Sequence, residues 1–117
     1  MSEINWAALQ SAAQQAAAQA YAPYSKFPVG VAVLAQSGKI YTGCNVENAS
    51  YGGTVCAERN AIAAAVVAGE RTFSAVMVYT PQDKLTPPCG ICRQVIAEFF
   101  TPDAPIASCN HLQQQQQ

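Results

Sequence analysis

The segment from Phe27 to Asn45 reads FPVGVAVLAQSGKIYTGCN, two runs of strand-forming residues on either side of Gln36-Ser37-Gly38-Lys39. A polar, glycine-containing turn between two such runs is the pattern of an antiparallel hairpin. A hairpin needs apolar cover, and the flanking segments supply it. Upstream, residues 4–20 are rich in alanine and glutamine and predict a helix with one shallow apolar face. Ser2 is available as its N-cap, and Pro23 stops it near Tyr21.

Downstream of the hairpin, Val46 to Thr54 carries Asn, Ser, Gly52 and Gly53, which reads as a tightly turning loop. A second helix is expected from about Val55 to Ala68, capped by Thr54 and ended by Gly69, with Ala61, Ala64, Ala65 and Ala68 as small packing residues. Phe73 to Tyr79 is a short apolar strand. The prolines from Pro81 to Pro88 exclude regular structure until Pro88, which suits the first turn of a third helix over Cys89 to Phe99. Ile106 to Cys109 reads as another strand, and the five glutamines after Leu112 read as a low-complexity tail. The expectation is a single α/β domain over residues 1–112, with a glutamine tail over 113–117. This element order implies one mixed sheet that contains the antiparallel hairpin and is covered by helices on both faces, a three-layer α/β/α arrangement.

With 117 residues, 50% hydrophobic and 11% charged, the chain has the size of one small domain. A net charge of -1 leaves no surplus of Lys and Arg to neutralise phosphates, which disfavours nucleic acid as a partner. The longest unbroken run of hydrophobic residues, Ala61 to Ala68, is far short of the roughly 20 residues a membrane helix needs. No opening segment has the pattern of a signal peptide, so a soluble cytoplasmic protein is expected. A weakly polar, alanine-rich surface is relieved most simply by burial in an oligomer.

The five cysteines are Cys44, Cys56, Cys89, Cys92 and Cys109, an odd number without an export signal, which makes disulfides a poor explanation. Cys56 opens the second predicted helix, and Cys89 and Cys92 open the third. Helix N-termini favour thiolate over thiol because their free N–H groups and the macrodipole act as partial positive charge. Cys89 and Cys92, spaced i and i+3, share a helix face in a chelating geometry, and Cys56 can supply a third sulfur. Soft thiolates at this spacing point to zinc with a fourth position left for water, the mark of a catalytic site. A fourth ligand from Cys44, Cys109 or His111 would instead close the shell into a structural site. Such a site has no use for Glu58, whose carboxylate lies two residues from a ligand and can reach a metal-bound water. Three thiolates on one Zn²⁺ leave a charge of about -1, and Arg59 or Arg93, hydrogen-bonded to sulfur, would offset it.

Cys56-Ala57-Glu58-Arg59 followed by Pro88-Cys89-Gly90-Ile91-Cys92-Arg93-Gln94 resembles the zinc signature of the cytidine deaminase family. Tyr24-Ser25-Lys26-Phe27-Pro28-Val29-Gly30 and Gly43-Cys44-Asn45-Val46-Glu47-Asn48-Ala49 resemble its small, tetrameric members that act on free nucleosides. The resemblance covers roughly residues 20 to 100. It implies the cytidine deaminase-like fold, one Zn²⁺ per subunit on Cys56, Cys89 and Cys92, a homotetramer and a role in pyrimidine salvage. It further implies that Asn45 and Glu47 hydrogen-bond the ribose and that Phe27 lines the pyrimidine pocket. The backbone at Ala57 and the carbonyl of Pro87 would grip the pyrimidine amide edge, and Tyr51 would reach a neighbouring subunit's site.

The reaction so implied is hydrolytic deamination of cytidine and deoxycytidine to uridine and deoxyuridine. A zinc-bound hydroxide attacks C4, and Glu58 shuttles protons to the ring nitrogen and the departing amine. Two other readings compete: a deaminase of another cyclic amidine such as a nucleoside antibiotic, and a non-catalytic, zinc-stabilised assembly subunit. Asn45 with Glu47 favours a nucleoside, and Glu58 beside an open metal position favours an enzyme.

Overall fold

A computed structural model describes residues 4–23, 27–47, 56–80, 106–110 and 115–116. Helix α1 spans Trp6–Ala17, and Asn5 caps it by accepting from the Ala8 N–H at 3.1 Å. The cap is therefore Asn5 and not Ser2, because Asn5 stands at the cap position with its side-chain oxygen on the third helical amide. Helix α1 also ends before Tyr21. The Tyr21 N–H donates to the Asn45 carbonyl at 3.0 Å, and the Tyr21 carbonyl accepts from the Glu47 N–H at 2.8 Å. Backbone groups recruited in this way, bridging Tyr21 in parallel to Val46, are not available to continue a helix.

The hairpin forms as the sequence indicates, from β1 at Gly30–Ala35 and β2 at Ile40–Cys44, paired from Gly30↔Cys44 to Leu34↔Ile40. Helix α2 spans Ala57–Val67 and is followed by Gly69, whose φ of 103° only glycine adopts readily. Strand β3 covers Phe73–Thr80 and runs antiparallel to β1, and β4, Ile106–Asn110, runs parallel to β3. Gln115–Gln116 form a two-residue strand, β5, against β4, so these glutamines do not belong to a structureless tail. Ladder pairing uses backbone groups alone, and an edge strand offers them whatever the incoming side chains are. The sheet order is β2-β1-β3-β4-β5. The predicted third helix over Cys89 to Phe99 lies outside the described residues.

Alternation along the strands divides the core into two layers. On one face Val31, Val33, Val76, Val78 and Phe73 pack against Ala57, Ala61, Ile62 and Ala65 of α2. On the other, Ala32, Ala75, Met77 and Ala107 pack against Leu9, Ala13 and Ala17 of α1. Both helices lie flush on the sheet because glycine stands beneath each. A Cβ at Gly30 would collide with the Ala13 carbonyl and Ala17 backbone, and one at Gly43 with the backbone of Ala57 and Ala61. No helix among the described residues is long and apolar enough to cross a membrane.

At the hairpin's turn end, Ser37 Oγ and Tyr41 Oη donate to Glu70 Oε2 at 2.8 and 2.9 Å, tying the turn to the segment after α2. The Ser37 and Tyr41 hydrogen bonds hold the Glu70 carboxyl below its ordinary value, whereas Tyr41 is raised chiefly by its bond to Glu70. A carboxyl pKa lowered on folding contributes stability that is present above the unfolded value and lost as pH falls through the folded one. The melting-temperature difference between wild type and Glu70→Ala is therefore expected near neutral pH and should vanish under acid. A difference that persists unchanged into strong acid would exclude the charge-assisted clamp.

Candidate active site

The site is built at the end of the sheet where β2 and β3 finish and β1 and α2 begin. Cys56 occupies the N-cap of α2 with extended backbone, φ -71° and ψ 153°, and its side chain makes no capping hydrogen bond. The start is thus two residues later than Thr54. The extended backbone of Cys56 sets it outside the helix, where its carbonyl accepts the first intrahelical bond, from Asn60 N–H at 3.1 Å. Arg59, in the same turn, donates from Nη2 to the Cys56 sulfur at 3.8 Å. Glu58 is 5% exposed in the first turn, where an acidic group is favoured by the helix dipole. Ala57, between them, is buried at the head of the α2 core face.

Facing this turn is the segment after β2. Asn60 Nδ2, from α2, donates to the Cys44 carbonyl at 2.7 Å. The next residue, Asn45, is buried and uses its side chain in both directions. Its Oδ1 accepts from Val29 N–H at 2.8 Å, and its Nδ2 donates to the Phe27 carbonyl at 3.1 Å. Asn45 thereby fixes the backbone of the segment that carries Phe27, and the Glu47 N–H bond to Tyr21 fixes the segment that carries Glu47. Backbone and side-chain hydrogen bonds thus bring Cys56, Ala57, Glu58, Arg59, Phe27, Asn45 and Glu47 to one end of the fold. Cys89, Cys92, Arg93, Pro87 and Tyr51 lie outside the described residues.

Two of the three residues that could close a metal shell point elsewhere. Cys109 is fully buried in the layer against α1, on the far side of the sheet from α2, and desolvation pushes its thiol up to about 11. Gly43 faces the α2 backbone, so alternation turns its neighbour Cys44 to the α1 side. His111 is outside the described residues. Among the described residues no three potential ligands gather at one point.

The donor set at α2 nonetheless suits a soft cation. Cys56 offers a sulfur at the start of α2 with Arg59 donating to it, and sulfur is a preferred donor atom for Zn²⁺. At the same end of the sheet the fully buried Thr80 hydroxyl has no hydrogen-bond partner among the described residues. Alternation from Val76 and Val78 puts it on the α2 side. Asn60 is the structural residue here that sequence reasoning missed; a lone asparagine within a helix carries no signal until its partner is known.

A profile of the family described as "Cytidine and deoxycytidylate deaminase zinc-binding region" matches residues 5–108. The chain is 52% identical over 97 residues to a cytidine deaminase of Sporosarcina psychrophila, covering 83% of this chain and 71% of that protein. It is 45% identical over 98 residues to the Mycobacterium tuberculosis cytidine deaminase, covering 84% and 74%. The crystal structure of a Burkholderia pseudomallei cytidine deaminase superposes with a TM-score of 0.91 at 43% identity, covering 97% of this chain and 91% of that one. The M. tuberculosis crystal structure superposes with a TM-score of 0.83 at 39% identity, covering 95% and 89%.

Proposed function

This chain belongs to the zinc-binding cytidine and deoxycytidylate deaminases, a zinc-dependent enzyme family that hydrolyses the exocyclic amine of cytidine, and we propose that its chemistry is carried by the first turn of α2. The observation that carries the reading is the Arg59 Nη2 to Cys56 Sγ contact of 3.8 Å beside the buried Glu58. A sulfur ligand, a cation that moderates it and a carboxylate beside it lie within one helical turn.

Cys56, with Cys89 and Cys92, would hold the metal. When bound, zinc supplies the Lewis acidity that makes water a nucleophile near neutral pH. Arg59 withdraws electron density from the Cys56 sulfur, which offsets the excess negative charge of three thiolates. Glu58 takes a proton from the attacking water as its oxygen bonds to C4 of the pyrimidine. It passes that proton to the ring nitrogen, then takes the second proton from the new C4 hydroxyl and passes it to the exocyclic amine; C4=O forms, the C4–N bond breaks, and ammonia leaves.

Phe27 supplies a face for the pyrimidine ring. Asn45, after its two bonds to the Phe27 segment, retains one N–H and one lone pair for a sugar hydroxyl, and the Glu47 carboxylate accepts from another. The Ala57 backbone and the Pro87 carbonyl hold the amide edge of the base. Tyr51 completes a neighbouring subunit's site in a homotetramer, and the enzyme serves pyrimidine salvage in the cytoplasm. Loss of cytosine ultraviolet absorbance on adding zinc-replete protein to cytidine or deoxycytidine is the expected result. Protein that retains zinc and turns over neither nucleoside would overturn the substrate assignment.

A further inference from the structure

Helix α2 packs over the larger Val31, Val33, Val76 and Val78 of β1 and β3, but where it crosses Gly43 of β2 the contact is small on both sides. Its buried residues toward the sheet are Ala57, Ala61, Ala65 and the single larger Ile62, and beneath it Gly43 offers no side chain. Small residues let backbones approach closely, but they interlock less than large side chains do. Such a contact sets the height of the helix above β2 and leaves its position along that strand to other contacts. A directional bond can set that position, and one is present: Asn60 Nδ2 to the Cys44 carbonyl, 2.7 Å, part-buried.

The two ends of this bond belong to the two halves of the site. Asn60 is two residues from Glu58 and four from Cys56, on the turn proposed for the metal and the proton transfer. Cys44 immediately precedes Asn45, whose side chain fixes the Phe27 segment and whose carbonyl accepts from Tyr21.

We propose that Asn60 is a positioning residue that holds the metal-binding turn of α2 in register with the sugar-binding segment Asn45–Glu47. Sugar binding then places the base at the reactive turn, and binding energy from the sugar is converted into rate. Asn60 itself touches neither substrate nor metal. The inference rests on the reading of Asn45 and Glu47 as sugar contacts.

The test is steady-state kinetics, expressed per bound zinc, on deoxycytidine and on dideoxycytidine, which lacks the sugar ring hydroxyl that deoxycytidine retains. Wild type should prefer deoxycytidine. Asn60→Ala is expected to lower kcat/KM for deoxycytidine by about 100-fold, the cost of a misplacement near 1 Å. It should lower that for dideoxycytidine much less, so that the gap between the two substrates narrows by about tenfold. Asn60→Asp keeps the shape without the donor and should behave like Asn60→Ala. Asn60→His restores an N–H at the same bond count from Cα and should reopen the gap. Equal losses on both substrates would mean that Asn60 only supports the fold, and unchanged deoxycytidine kinetics would remove its role; either overturns the proposal. A wild type that turns over both nucleosides alike would instead remove the sugar reading, and a zinc-loaded wild type that turns over neither would remove the proposed activity; the inference falls with each.

Discussion

Glu58→Gln is expected to lower kcat by about 100- to 10,000-fold, the range over which a positioned acid-base group contributes, while zinc content and nucleoside affinity stay close to wild type. The substitution is nearly isosteric. Glu58 is almost wholly buried in the first turn of α2, so a residue of the same shape leaves the packing of that turn unchanged. The amide cannot accept and return a proton, and the shuttle between water, ring nitrogen and leaving amine is broken at one atom. Zinc analysis, inhibitor binding and single-turnover absorbance on the same preparation separate these effects. Wild-type kcat in Glu58→Gln would refute the assignment, and lost zinc with lost activity would place Glu58 among the ligands.

Cys56→Ala should act on the metal before it acts on the helix. Cys56 makes no capping hydrogen bond, so α2 loses no cap when the sulfur is removed. What is lost is the proposed ligand, and Arg59 loses the sulfur to which it donates. Zinc affinity is expected to fall by more than about 100-fold, beyond the 10- to 100-fold that follows loss of an outer-shell partner, and turnover should fall with it. The measurement is zinc per chain after dialysis against a graded chelator series, with circular dichroism to show that the helices remain. Undiminished zinc retention would exclude Cys56 as a ligand.

The sequence made the hairpin, α2, β3 and β4 legible because their signals are local: alternating or continuous apolar runs, a polar turn, and Gly69 as a stop. The proposed catalytic cluster could be read as a candidate for a related reason, since Cys56, Glu58 and Arg59 fall within a single turn. The misses have non-local causes. Asn5 and Ser2 are both good caps, and which one is used depends on where α1 meets Ala32 and Met77. The end of α1 is set by Asn45 and Glu47, more than twenty residues away, which take up the Tyr21 backbone. The pairing of Gln115 and Gln116 with β4 has no side-chain signature. Asn60 was invisible because its meaning lies in the Cys44 carbonyl across the helix-strand interface. Asn45 was read for its sugar-binding chemistry alone, and the structure adds that it holds the Phe27 backbone.

The flush seating of the two helices makes Gly30 and Gly43 unequal targets for an engineer. Either could be filled only if a whole helix withdrew from the sheet, because the obstructing atoms are backbone. At Gly30 the helix that withdraws is α1, which carries none of the proposed catalytic groups, so the direct cost falls on folding and reaches the site only through the Tyr21 bonds to Asn45 and Glu47. At Gly43 it is α2, and Cys56, Glu58 and Arg59 retreat together from the segment proposed to hold the nucleoside. A library screened for solubility alone would accept survivors at both positions, whereas one screened for turnover would reject those at Gly43.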